Sequence, residues 1–186
     1  MESQTKFLGH PLHTMLIPLP LGLLSGAVAF DVLHHATGDD AWGAAATATM
    51  GAGIVGGLIA APFGAADWFA IPPGTRAKEI GRAHGLGNAV VLGLFTANWW
   101  LRRGKPREAQ PLTLGLSLAG ITLAAVTGWL GGELVDRLGV GVDYGANLNA
   151  PTSLGNQPAD AALGEVRLIV GEREERVPAG MASRSS

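Results

Sequence analysis

The chain has 186 residues, of which 47% are hydrophobic and 15% charged, well short of the roughly 25% charged residues of an ordinary soluble domain. Its net charge of −2 does not bear on nucleic acid, but no basic stripe interleaved with aromatics is present and no nucleic-acid partner is expected. The chain has no cysteine, which excludes disulfides, Cys-ligated iron–sulfur clusters and thiol nucleophiles within it.

Four windows, 11–30, 41–66, 83–101 and 109–132, contain no Asp, Glu, Lys or Arg. Each is long enough to cross a bilayer as a helix, which takes roughly 17–25 apolar residues. The first segment, Met-Glu-Ser-Gln-Thr-Lys, lacks a basic leader and a small-residue cleavage site, so the first window reads as a retained span. In chain order, the expected spans are 11–33, 42–69, 83–101 and 111–134. Pro11 and Pro111 suit first helical positions, where a missing N–H is harmless, and Pro18 and Pro20 should kink the first helix. Pro72-Pro73-Gly74 closes the second.

Pairs such as Gly22/Gly26, Gly53/Gly57, Gly81/Gly85 and Gly128/Gly132 would let backbones approach closely. The five tryptophans fall near the expected ends, as in the aromatic belts of membrane proteins. The fold class is therefore all-α: an integral membrane four-helix bundle over 8–138 with an extramembrane tail, 139–186. The tail reads as partly disordered, with a short hairpin over 166–177 and a disordered end. No internal repeat of solenoid period is visible, although both halves are helical hairpins.

Threading the spans defines a side A, which carries both termini, and a side B. Lys and Arg are nearly balanced between the two, so they do not set an orientation. The first loop holds Asp39 and Asp40 but no cation, which leans the termini towards the cytoplasm. On side A the threading gathers His10, His13, Asp67, His84 and Glu133. The histidines sit at helix starts and the carboxylates at helix ends, the opposite of what helix dipoles prefer, and residues that break a rule together are site candidates.

One reading is a cofactor site. His10 or His13 would pair with His84 as ligands to haem b or a transition metal, with Asn88 in support. Asp67 and Glu133 would orient the imidazoles, handle protons or serve as alternative ligands. The other reading is that these groups bond water, headgroups and carbonyls freed by the prolines. At side B, Asp31, His34 and His35 read as solvated helix-end groups, the 102–107 basic cluster as a contact for anionic lipid, and Asn98 as interfacial. There is no phosphate-binding loop, Ser-His-Asp order or zinc-protease motif, so nothing argues for a hydrolase; enzyme status stays open, with a redox subunit expected ahead of an independent enzyme.

The run Gly9-His10-Pro11-Leu12-His13, the Ile17-Pro18-Leu19-Pro20 span, Ala66-Asp67-Trp68, Arg82-Ala83-His84 and Gly128-Trp129-Leu130-Gly131-Gly132-Glu133-Leu134 together resemble the bacterial membrane-protein family called domain of unknown function 2231. The resemblance covers about residues 8–142 and departs from the commoner His-Pro-Leu-His-Pro by Thr14 after His13. It implies a multi-pass protein of the bacterial inner membrane. Some members are fused or neighbour to Rieske-type domains, so it also implies a redox role with a separate Rieske-type or other redox partner. The lipid bilayer is the other expected partner, and a homo-oligomer is an open expectation. The alternative is a membrane scaffold or small proton-handling transport protein with no cofactor.

Overall fold

A computed structural model of the chain describes residues 1–104, 110–143, 150–152 and 154. The expected hairpin over 166–177, the disordered end, and Lys105 and Arg107 of the basic cluster lie outside the described residues. The helical unit spans Met1–Gly141.

A two-residue antiparallel pairing of β1 (Lys6–Phe7) with β2 (His10–Pro11) precedes α1 (Leu12–Leu16) and α2 (Pro18–Thr37). The chain turns at Ile17, which keeps a helical conformation, and Pro18 opens α2, so the first span is broken where kinking was expected. It then runs on to Thr37, a turn past the expected end, and Gly38 closes it in the left-handed conformation at φ 71°.

The remaining helices are α3 (Asp40–Ala70), α4 (Arg76–Leu101) and α5 (Pro111–Gly132), the last continuing into a π-helical turn, Glu133–Arg137. Asp39 caps α3 by accepting from the Ala41 amide at 2.9 Å, and Thr75 caps α4 by accepting from Lys78 at 3.2 Å. Helices α2 and α3 form one antiparallel hairpin, α4 and α5 a second, and the hairpins join through α3 against α4 and α2 against α5.

The buried apolar core is small: Leu24, Ala27, Val28, Met50, Ile54, Val91 and Phe95 at the centre. Leu21, Val55, Leu58, Ile59, Leu86, Val90, Leu118 and Val126 point outward, while Asp31, Asn98, Thr113, Ser117 and Thr127 are buried. A soluble protein does not sustain so continuous an apolar exterior, but a bilayer solvates it. Leu12–Thr37, Asp40–Ala70 and Pro111–Arg137 are each long and apolar enough to cross a membrane, and no more than 33% of their apolar windows is buried. Four spans were expected, and α4 is not among these three. It has the length, with 26 residues, but His84, Asn88 and Asn98 lower its hydropathy; Asn98 turns fully inward, and the other two are half-buried.

Candidate functional site

The five side-A outliers divide by position into three groups. The first contains the histidines of the two hairpins. Nδ1 of His13 lies 3.0 Å from the carbonyl oxygen of Ala60 on α3. A carbonyl only accepts, so Nδ1 carries a proton, and in the neutral ring Nε2 is then the nitrogen with the lone pair. The ring rests flat on the glycine one turn further along α3: a Cβ built at Gly64 would come within 2.6 Å of it.

His84 repeats the arrangement on the other hairpin. Its Nδ1 donates to the carbonyl of Thr127 on α5 at 2.8 Å, and its ring lies over Gly131, again one turn further on. Asn88 Nδ2 lies 3.1 Å from His84 Nε2, and Thr127 Oγ1 lies 2.9 Å from the Asn88 carbonyl oxygen and 3.1 Å from that of Ala124. With Nδ1–H on the Thr127 carbonyl and the Asn88 amide group turned to Nε2, the pair of contacts suits a neutral imidazole.

Asp67 forms the second group. It is buried, and its oxygens receive the Ser3 hydroxyl at 2.9 Å and the Gln4 amide at 2.6 Å. It therefore anchors the N-terminal segment over the bundle end. The amino group of Met1 donates to the Gly139 carbonyl at 2.6 Å, so the start of the chain meets the end of the helical unit. His10 is exposed in β2, opposite Phe7.

Glu133 forms the third. Buried at the start of the π-helical turn, it accepts from Arg76 at 2.6 Å and lies 3.9 Å from Arg137. A pocket of about 220 Å³ beside it is lined by Trp129, Gly132, Asp136 and Arg137. The expectation that Asp67 and Glu133 would orient the imidazoles is not what their contacts display: carbonyls of Ala60 and Thr127 take that role. Among the described residues, no group of three or more His, Cys, Asp and Glu is arranged to hold a metal ion.

The largest correction is at side B. Asp31 is fully buried, not solvated, and Arg102 is buried with it instead of reaching for lipid. Arg102 donates through Nη1 and Nη2 to the two Asp31 oxygens at 2.7 and 3.1 Å. Its Nε and Nη2 also reach the Asn98 carbonyl oxygen at 3.1 and 2.9 Å. Asn98 in turn donates to the Thr113 carbonyl at 2.8 Å and to Ser117 Oγ at 2.7 Å, and Ser117 donates to Asp31 at 2.5 Å. Every member is satisfied, which is the condition under which buried charge is tolerated.

His34 is buried too, donating through Nδ1 to the Asp39 carbonyl at 2.9 Å, while its Nε2 has no partner among the described residues. His35 bridges α2 to the Gln110 carbonyl at the start of α5 at 3.2 Å. A signal for the network was present in the sequence: opposite charges stand directly after Phe30 and Leu101, at the same membrane level of two helices running the same way.

Polar residues inside, apolar residues outside and three apolar spans define a polytopic helical membrane protein. The sequence profile of the predicted membrane proteins designated domain of unknown function 2231 (DUF2231) matches residues 9–144, and the chain belongs to that family. No curated protein matches the chain. No solved structure matches it either.

Proposed function

We propose that the protein binds haem through His13 and His84 at side A and serves electron transfer in the membrane. The observation that carries this reading is the shared setting of the two rings. Each donates Nδ1–H to a carbonyl of the neighbouring helix and lies on a glycine, so the ring is oriented and Nε2 is the nitrogen with a lone pair to give. Axial histidines need that outer-side hydrogen bond, which fixes the tautomer and raises ligand basicity.

The donor set fits a macrocycle better than a bare ion. A naked zinc or iron asks for three or four protein ligands, whereas a porphyrin brings four nitrogens and asks the protein for one or two. When bound, haem would supply a one-electron carrier. The chain's own contributions are the two oriented imidazoles, the glycine faces that admit them and an apolar surround. Asn88 occupies His84 Nε2 here and would have to release it, so Asn88 controls access to that ligand. Asp67 and Glu133, engaged with the N-terminal segment and with Arg76, stabilise the end of the bundle where the site stands.

Haem content of protein purified in mild detergent from haem-replete cells tests the reading. Wild-type protein should retain about one haem per chain or per pair of chains. His84→Ala should lose it while the protein stays folded and monodisperse. Equal haem content in wild type and in both His13→Ala and His84→Ala would refute the assignment.

A second reading rests on a different observation: nearly every polar outlier already has a protein partner. On that reading the bundle is a cofactor-free scaffold in which the histidines tie helices together. Haem-free protein with unaltered cellular function in the histidine variants would establish it.

A further inference from the structure

Several buried positions of the two hairpins correspond at fixed offsets. The offset that takes His13 to His84 also takes Leu24 to Phe95, Ala27 to Asn98 and Asp31 to Arg102, and the last three pairs are all buried. On the partner helices, the buried residues of α5 are Thr113, Ser117, Gly120 and Thr127. A single offset returns each of them to a buried residue of α3: Ala46, Met50, Gly53 and Ala60.

The contacts repeat as well as the burial. A Cβ at Gly53 would meet Leu24 at 2.7 Å, and one at Gly120 would meet Phe95, the counterpart of Leu24, at 2.8 Å. The bond from His13 to Ala60 recurs as the bond from His84 to Thr127. Equivalent helices run the same way, and the contact of α2 with α5 mirrors that of α4 with α3. Such repeats are related by an axis along the bundle, the arrangement known for parallel repeats in membrane proteins.

Asp31 and Arg102 are therefore one position in two copies, and they touch each other across that axis. Identical hairpins would bring Asp against Asp or Arg against Arg there, burying like charges. We infer that the bundle is a tandem duplication of one helical hairpin, and that the Asp31–Arg102 pair is the charge code by which a first hairpin selects a second one and rejects its own kind. The selection is an exclusion as much as an attraction, since the wrong pairings bury unmatched charge. The positions around the pair agree. Asn98 and Ser117, which serve the two charges, correspond to Ala27 and Met50, so only the second hairpin carries the polar half of the lock. If the two histidines hold a haem as proposed above, the same equivalence gives it matching ligands from the two copies; the test below leaves both histidines in place.

The duplication makes a transposition testable in the full chain. Asp31→Arg and Arg102→Asp alone should each lower the folding equilibrium constant by roughly 100-fold or more, the scale for stranding a buried charge, and cut the yield of monodisperse protein in detergent. Transposing the lock as a unit (A27N, D31R and M50S with N98A, R102D and S117M) should return both readouts to within about tenfold of the parent. A control that places Asn at Val28 instead of Ala27, one residue out of the repeat register, should stay with the single variants. A transposed chain no better than D31R alone, or a control that recovers equally, would overturn the inference.

Discussion

Replacing the glycine beneath each histidine ring with alanine should have unequal consequences. A methyl at Gly64 would sit 2.6 Å from His13 Cε1 and 2.9 Å from each ring nitrogen. At Gly131 it would sit 3.1 Å from His84 Cε1 and 3.5 Å from Nδ1. Non-bonded carbons are most comfortable near ~3.5–4.0 Å, so the His13 ring must retreat by about 1 Å and the His84 ring by much less. A retreat of that size carries the 3.0 Å bond from His13 to Ala60 beyond hydrogen-bonding range. Overpacking costs about 1–3 kcal/mol, the lost bond costs about 1 kcal/mol, and alanine returns about 1 kcal/mol over glycine in a helix interior. Gly64→Ala should therefore destabilise by about 1–3 kcal/mol, whereas Gly131→Ala should stay within about 1 kcal/mol of wild type. Unfolding by SDS titration in mixed micelles measures both, and ¹⁵N shifts of the imidazoles report which ring has moved. A Gly131→Ala loss as large as that of Gly64→Ala, or a silent Gly64→Ala, would refute the proposed packing.

Three further substitutions probe the other polar contacts. Arg102→Met should cost about 3–5 kcal/mol by leaving Asp31 buried without its cation, and adding Asp31→Leu should recover most of that loss in the same SDS titration. Thr127→Val removes the hydroxyl that orients Asn88 and should cost about 1 kcal/mol; ¹⁵N spectra should show His84 Nε2 losing its Asn88 partner. Asp67→Ala removes the acceptor that anchors Ser3 and Gln4, so hydrogen exchange should rise across residues 3–12 while the helices keep their protection.

Most of the architecture was legible because bilayer solvation writes itself into composition: uncharged windows, prolines at helix starts and tryptophans at helix ends. Hydropathy could not rank α4, whose His84, Asn88 and Asn98 are polar yet turned inward or half-buried, because composition does not reveal which face a residue takes. Helix rotation hid the fate of the side-A group for the same reason. Sequence placed five ionisable residues at one level, and rotation then sent the two carboxylates to Ser3 and Arg76 while His13 and His84 took carbonyls. Asp31 reads as solvated and Arg102 as a lipid contact when each is judged alone. Read as opposite charges at one level of parallel helices, they would have predicted their own pairing. The duplication escaped notice because the equivalent positions are mostly different residues: Ala27 against Asn98, Met50 against Ser117. Apart from the His13/His84, Gly53/Gly120 and Gly64/Gly131 pairs, burial and contact rather than residue type relate the halves.

The central claim, that His13 and His84 hold a haem, is tested most directly by the reduced-minus-oxidised absorbance spectrum of the purified wild-type protein beside its two histidine variants. The account predicts a Soret band that shifts on reduction and disappears in His13→Ala and His84→Ala but persists in His10→Ala. A colourless protein from haem-replete cells, or a Soret band indifferent to both histidines, would contradict it.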